Sequence, residues 1–324
     1  MMKREYDIDQ LVERFKKKDK QALSRLISIV ENYPDLTKEV FTKLNSAGKK
    51  SYIVGITGPP GAGKSTLINM IAKNIVDQGK SIGVVSVDPT SPFSGGALLG
   101  DRIRMKNVIL HPDIFIRSLA SRGMVGGLSR AVFDICRLFE AYGKDLIIIE
   151  TVGAGQSEID VFKFAYTIIV VSVPGYGDSI QVQKAGIIEI ADILVVNKYD
   201  LGGDDILAQL EIMLDDASDH GTGWRPPVVP TNGVTGEGID ELVNEIWNHK
   251  QHMELSGLLD QKKKDQIKTK IIELLYYNLE KYIRENIASE EKLDEIAQQI
   301  AELKSNVYEP TEKILEELFK RLEY

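Results

Sequence analysis

Residues 58–65 read Gly58-Pro59-Pro60-Gly61-Ala62-Gly63-Lys64-Ser65, and they come just after the apolar run Tyr52-Ile53-Val54-Gly55-Ile56. Gly, four free residues, then Gly-Lys-Ser is the pattern of a phosphate-binding loop, whose bare backbone N–H groups surround a phosphate and lead into a helix. We expect that helix from Thr66 to Val76, and nucleotide contacts from all eight loop residues and Thr66. Lys64 is expected to stabilise charge on the β- and γ-phosphates during catalysis, and Ser65 to bind the bridging Mg²⁺.

A second motif, Asn197-Lys198-Tyr199-Asp200, directly follows the apolar run 193–196 and indicates which nucleotide base is bound. The Asp200 carboxylate can accept hydrogen bonds from guanine N1–H and the 2-amino group, whereas adenine offers a lone pair at N1 and no 2-amino group. Lys198 can cover the base with its methylene stem, and Asn197 is expected to tie the segment to the phosphate loop. The predicted cofactors are GTP/GDP and Mg²⁺.

Composition limits the partners and the compartment. The chain has 324 residues, a net charge of −8 and a pI near 5.3, so its overall field repels nucleic acid and anionic membranes. Residues 1–7 lack an apolar signal region, and no apolar run approaches the roughly 18 residues of a membrane span. We therefore expect a cytoplasmic protein with neither partner. The single cysteine, Cys136, is expected to be a small buried residue.

Apolar spacing divides the chain into three parts. Residues 1–48 are expected to form a helical extension, with Asp19 and Asp35 as helix caps and Pro34 between the second and third helices. Residues 49–252 alternate apolar runs with helical patterns, which predicts an α/β GTPase domain of the P-loop NTPase type, with a mostly parallel sheet flanked by helices. The predicted strands are 52–57, 82–88, 113–117, 145–150, 167–173, 192–197 and 227–231.

The third part, residues 253–324, is rich in Lys and Glu and has amphipathic helical spacing. Its apolar positions fall in three sets, which begin at Ile267, Leu293 and Ile314. These helices either pack on their own domain or form a dimerisation arm, and the spacing does not separate the two.

Three acidic residues are candidate metal-site residues: Asp88 and Glu150, which end apolar runs, and Asp101, which lies in a Gly-flanked loop. Solvated loop acids are the alternative for the first two. Glu150 stands where many GTPases have Asp, and the Gly153 N–H is placed to meet the γ-phosphate. Ala154 occupies the usual position of a water-orienting Gln, so slow intrinsic hydrolysis is expected; Gln156 is nearby but shifted by two positions.

The segment 174–184 also follows an apolar run. Lys184 could stabilise transition-state charge in the manner of an arginine finger, with Asp178 holding it. A loop acid and a surface lysine are equally compatible with the pattern.

Four motifs together resemble the MeaB, ArgK and MMAA group of GTPases, from about Ala22 to the end of the nucleotide domain. They are the phosphate loop, Val-Asp-Pro-Thr-Ser with Gly-Asp-Arg-Ile-Arg-Met, Glu-Thr-Val-Gly-Ala-Gly-Gln-Ser-Glu, and Gly-Asp-x-x-Gln-x-x-Lys-x-Gly. The resemblance implies a homodimeric chaperone of an adenosylcobalamin-dependent acyl-CoA mutase such as methylmalonyl-CoA mutase. It further implies that Asp88, Asp101 and Glu150 belong to the metal site, and that Asp178 and Lys184 form a mutase-dependent catalytic element.

One motif departs from that group. Where a base-contacting Ser-Ala-Arg is expected, the chain has Asn232-Gly233-Val234. Backbone N–H contact to guanine survives this change, and the side-chain contact is put in doubt.

Three other functions are alternatives to this one. A nickel-insertion GTPase of the same fold class needs a metal-handling cluster, but the chain has one Cys and four scattered His. A kinase acting on a protein partner would need an acceptor site, for which no motif is visible. A nucleotide-dependent scaffold without turnover remains compatible with Ala154.

Overall fold

The computed structural model describes residues 6–45, 50–89, 111–121, 127–151, 163–175, 190–216, 223–302 and 306–322. The chain divides into two compact units, Met1–Lys263 and Lys264–Tyr324. The helices of the described residues are α1 Ile8–Lys16, α2 Lys20–Asn32, α3 Pro34–Leu44, α4 Lys64–Asp77, α5 Gly127–Tyr142, α6 Asp204–Asp216, α7 Ile239–Leu255, α8 Leu258–Asn286, α9 Glu290–Ala301 and α10 Tyr308–Leu322. The strands are β1 Tyr52–Thr57, β2 Ile82–Pro89, β3 Ile114–Ser121, β4 Leu146–Thr151, β5 Thr167–Ser172, β6 Ile193–Asn197 and β7 Val228–Thr231.

The strands of the described residues form one seven-stranded sheet in the order β3-β2-β4-β1-β5-β6-β7. Every neighbouring pair is parallel, which confirms the predicted sheet. β1, β4, β5 and β6 are buried at every residue, because helices cover both faces of a parallel sheet. All seven predicted strands are present, and β3 continues to Ser121, four residues beyond the predicted end.

The N-terminal helices share the core of the sheet. α1, α2 and α3 pack on one another, and α2 packs on α5. Asp19 caps α2 as predicted, since its carboxylate accepts the N–H groups of Gln21 and Ala22. The prediction for Asp35 is wrong: Pro34 occupies the first helical position, which moves the cap to Tyr33 and places Asp35 inside the first turn.

Two lysines connect these helices to the start of β3 and the end of α5, and Lys144 connects the segments before β3 and after α5 to each other. Lys20 Nζ donates to His111 O and Ile114 O, at 2.7 and 3.1 Å. Lys18 and Tyr142 exchange side-chain to backbone hydrogen bonds in both directions. Lys144 Nζ donates to the carbonyl of residue 113 at 2.7 Å, and burial, with Lys20 nearby, lowers the pKa of Lys144 to about 8.

The second unit contains the rest of α8, with α9 and α10. Several of its large apolar side chains are exposed, among them Ile267, Ile271, Leu275 and Phe319. Of the helices that the structure describes, none has the length and apolar character needed to cross a lipid bilayer. In the first unit, Cys136 is a free, buried residue of α5, as predicted.

Candidate nucleotide-binding site

The phosphate loop connects β1 to α4 at the carboxyl edge of the sheet, where parallel α/β sheets bind ligands. Two of its glycines are required by geometry. Gly58 has φ +150°, and a Cβ there would lie 2.3 Å from Val171 O; Gly63 has φ +83°, and a Cβ there would lie 2.6 Å from Asn197 Nδ2. The loop therefore lies closely against β5 and the end of β6.

Lys64 is the first residue of α4 and is almost fully buried. Its ammonium group donates to Gly58 O at 2.8 Å and to Pro59 O at 3.1 Å. These contacts hold the positive charge against the loop. A bound phosphate can take the place of such carbonyl acceptors, because an ammonium group binds an anion more strongly than a neutral oxygen.

Glu150 joins the phosphate loop to the sheet. The Ser65 hydroxyl donates to Glu150 Oε1 at 2.8 Å, and the Ser86 hydroxyl donates to Glu150 Oε2 at 3.0 Å. Glu150 and Ser86 are each 1% exposed. The sequence reasoning missed Ser86, although a lone serine in the apolar strand β2, two residues before Asp88, was a usable signal.

Asn197 holds three segments together, as the last residue of β6. Its Nδ2 donates to Ala62 O at 2.7 Å, and its Oδ1 accepts the Gly233 N–H at 3.0 Å and the Thr231 hydroxyl at 3.3 Å. Lys198 adopts the left-handed conformation, with φ 55°, and donates to Gly61 O at 2.8 Å. The two residues thus connect the phosphate loop to the loop that follows β7.

Asp200 and Asn232 meet beside this junction. Asn232 Nδ2 donates to Asp200 Oδ1 at 2.8 Å, while Asn232 Oδ1 accepts the N–H groups of Val234 and Thr235 at 2.9 and 3.1 Å. The amide of Asn232 is therefore fixed by its own turn and orients the carboxylate. Val234 is 83% exposed next to it. The segment that departs from Ser-Ala-Arg thus contacts Asp200 through the side chain of Asn232.

Some of the predicted site residues lie outside the part of the chain that the structure describes. Asp88 is the next-to-last residue of β2, at the same edge of the sheet as Glu150. Five predicted site residues lie outside the described residues: Asp101, Gly153, Gln156, Asp178 and Lys184. Ala154 lies outside them as well.

A second buried polar cluster lies at the amino edge of the sheet, opposite the loops. The Thr167 hydroxyl is 2.7 Å from Tyr52 Oη and 2.8 Å from His249 Nδ1. His249 Nε2 lies 3.5 Å from Asp192 Oδ1, and Trp224 Nε1 donates to Asp192 O at 2.8 Å. Burial lowers the pKa of His249 to about 3 and raises the pKa of Asp192 to about 6. His249 is therefore neutral near pH 7.

Among the described residues, no group of three or more His, Cys, Asp or Glu side chains is arranged to hold a metal ion.

Known proteins with similar sequences are GTPases, which agrees with the nucleotide-binding motifs of the site. Residues 23–288 match the family model described as "Methylmalonyl Co-A mutase-associated GTPase MeaB". A protein of Pyrococcus abyssi named as a GTPase is 44% identical over 96% of this chain and 97% of its own. GTPase ArgK of Escherichia coli is 30% identical over 92% of both chains. The methylmalonic aciduria type A homolog of Mus musculus is 35% identical over 78% of this chain and 62% of its own.

A solved structure supports the fold. The crystal structure of a LAO/AO transport system kinase superposes with a TM-score of 0.69 at 24% identity, and the match covers 98% of this chain and 99% of that one. The family model covers more than half of the chain and includes the phosphate loop and all seven strands within the matched residues. The chain is a GTPase that belongs to the methylmalonyl-CoA mutase-associated MeaB family, together with relatives of the ArgK and MMAA type.

Proposed function

We propose that this GTPase is a chaperone of an adenosylcobalamin-dependent acyl-CoA mutase, such as methylmalonyl-CoA mutase, and that it acts in the cytoplasm. Its nucleotide state would gate cofactor loading or protect the mutase from inactivation. The observation that carries the proposal is the match of residues 23–288 to a family described by its association with that mutase. The match extends well beyond the phosphate loop and the base-reading motif.

The proposed ligands are GTP or GDP with Mg²⁺. The donor set fits this metal, because Ser65 and Glu150 supply hydroxyl and carboxylate oxygens side by side, and Mg²⁺ prefers oxygen ligands. Asp88 and Asp101 complete the proposed metal site. When bound, the metal would neutralise charge on the β- and γ-phosphates. Asp200 would read guanine, with Asn232 orienting its carboxylate.

The proposed hydrolysis depends on the partner. Lys64 would hold the phosphate charge, while Glu150 would orient the Ser65 hydroxyl. Lys184 would add a positive charge near the transferred phosphate when the mutase is bound, with Asp178 holding it and Gln156 close to the water. Turnover without the mutase would be slow, since Ala154 replaces the usual water-orienting Gln.

We also propose that the protein is a homodimer and that the C-terminal helices are the dimerisation element. Exposed apolar side chains along α8, including Ile267, Ile271 and Leu275, support this role.

Co-purification with candidate cobalamin-dependent mutases, with and without a non-hydrolysable GTP analogue, tests the chaperone function. We expect one mutase to bind in a nucleotide-dependent manner and to accelerate GTP hydrolysis. Lys184→Ala should abolish that acceleration, whereas Lys73→Ala, an exposed lysine of α4, should keep it. Failure of every cobalamin-dependent mutase to bind or stimulate the protein would reject the proposal.

A further inference from the structure

We infer that Ser86 is a positioning residue of the magnesium site: it fixes the Glu150 carboxylate and thereby sets the affinity of the nucleotide complex for Mg²⁺. The inference rests on the proposed roles of Ser65 and Glu150 in that site. Ser86 itself would act only through Glu150.

The sheet register places Ser86 beside Glu150. β2 and β4 are parallel neighbours, and these two residues lie opposite each other. Side chains in the same row of a sheet project from the same face, so the serine hydroxyl reaches the carboxylate directly, at 3.0 Å. Both residues are buried, which keeps water from replacing this contact.

The two oxygens of Glu150 are held from two different elements. Ser65, at the start of α4, donates to Oε1, and Ser86, on β2, donates to Oε2. A glutamate side chain has one more rotatable bond than an aspartate side chain. Fixing its carboxylate in one orientation therefore costs more conformational entropy. The hydroxyl of Ser86 therefore fixes the plane of the carboxylate before any metal binds.

That orientation matters at Ser65. A serine hydroxyl has one proton and two lone pairs, so a hydroxyl that donates to Glu150 keeps its lone pairs for another partner. With Glu150 fixed, the Ser65 lone pairs are oriented in advance as a metal ligand. Residues that orient metal ligands in this way typically change metal affinity by about 10- to 100-fold when they are removed.

The test is the Mg²⁺ requirement of nucleotide retention in the full-length protein. Release of a fluorescent GDP analogue is followed while Mg²⁺ is titrated, and GDP affinity is measured separately in excess EDTA. For Ser86→Ala we expect the half-saturating Mg²⁺ concentration to rise about tenfold, while GDP affinity in EDTA changes by less than about twofold. A role in stability alone would leave the Mg²⁺ requirement unchanged.

Two further variants make the result specific. Ser118 lies opposite Ser86 on β3, one strand farther from Glu150. Ser118→Ala should therefore keep the wild-type Mg²⁺ requirement. Ser86→Thr retains a hydroxyl and should restore most of the affinity. If Ser86→Ala unfolds, Ser86→Cys replaces the hydroxyl with a slightly larger and weaker donor and should raise the requirement in the same direction.

Glu150→Gln separates the inferred role of Ser86 from the proposed role of Glu150 in the metal site. If it changes the Mg²⁺ requirement while the Ser86 variants do not, the inference about Ser86 is wrong and the metal site stands. If Glu150→Gln also leaves the requirement unchanged, the proposed role of Glu150 fails. Equal losses of GDP affinity by Ser86→Ala with Mg²⁺ and with EDTA would also overturn the inference.

Discussion

The two edges of the sheet both carry buried polar clusters, but the clusters are built in different ways. At the carboxyl edge, Lys64 donates to loop carbonyls and Ser65 donates to Glu150, so charged and hydroxyl groups are held next to a loop suited to phosphate. At the amino edge, Thr167 and His249 form side-chain contacts between strands and a helix.

The difference lies in what a ligand could replace. A phosphate can displace the carbonyl partners of Lys64, whereas the hydroxyl of Thr167 is fully buried between two side chains. The aromatic rings of Trp224 and His249, with centroids 4.8 Å apart, further enclose the amino-edge cluster. We conclude that the carboxyl edge is arranged for exchange of partners, while the amino edge holds the strands together.

The largest expected effect is at the phosphate loop. Lys64→Ala removes the ammonium group at the loop and should abolish measurable binding of GTP and GDP, a loss of about a thousandfold or more. Isothermal titration calorimetry measures it. Lys73→Ala, on the exposed side of the same helix, is the matched control and should bind normally. Near-normal GTP binding by Lys64→Ala would remove the distinction between the two edges.

The next effect concerns the base. Asp200→Asn exchanges a carboxylate oxygen for an amide donor, so GTP affinity should fall about a hundredfold and preference should move towards xanthosine triphosphate. Competition binding with the two nucleotides measures the change. The control is Asp205→Asn, at an exposed acid on α6.

Asn232→Ala separates orientation from charge at the same site. It leaves the carboxylate of Asp200 but removes its 2.8 Å partner, so we expect a smaller loss, about tenfold. Unchanged GTP affinity in Asp200→Asn would contradict the base-reading role of this region.

At the amino edge the expected effect is on stability alone. Thr167→Val keeps the shape but removes the hydroxyl between Tyr52 and His249, and should lower the free energy of unfolding by about 2 kcal/mol. Denaturant unfolding measures the loss, and GTP affinity should stay within about twofold. Thr42→Val, at an exposed position on α3, should change stability by less than about 0.5 kcal/mol. A large loss of GTP affinity in Thr167→Val would show that the two edges are coupled.

An effect on stability of similar size is expected to depend on pH. The folded-state pKa of Asp192 is raised from 3.8 to about 6, so this group contributes stability that is present below pH 3.8 and is lost as pH rises through 6. Asp192→Asn removes that loss. Relative to the wild type, the variant should gain about 2 kcal/mol between pH 4 and pH 7, with allowance for the 24% exposure of the side chain.

The groups that contact Asp192 also affect its pKa and must be considered in this experiment. Lys262 lowers the pKa of Asp192, and the N–H of Ile168 donates to its Oδ2 at 2.7 Å, a contact that an asparagine oxygen can keep. His249 has a lowered pKa, so its contribution is lost as pH falls from 6.5 towards 3 in both proteins, in the opposite direction to the contribution of Asp192. A difference that does not vary with pH would contradict the raised pKa of Asp192.

The contrast between the edges also explains what the sequence could predict. The phosphate loop lies within eight consecutive residues and follows a strand, so local spacing was sufficient to place it. All seven strands were visible too, and the central ones are buried on both faces and have almost continuous runs of Ile and Val.

Contacts between distant residues were not visible. Thr167 meets Tyr52 and His249 across 115 and 82 residues, and no motif links these positions. Ser86 meets Glu150 only through the strand register, which depends on the order of strands in the sheet. The prediction that Asp35 caps α3 was wrong because proline is favoured at the first helical position, and Pro34 occupies that position.

The lysine contacts of the N-terminal helices have a practical consequence for dissecting the molecule. A fragment that begins at residue 50 would lose Lys18 and Lys20, and it would uncover the side of α5 on which α2 packs. It would also remove Leu23, Leu26 and Ile27, which belong to the same hydrophobic core as the sheet. Trimming the chain to its nucleotide-binding motifs should therefore yield an aggregating product.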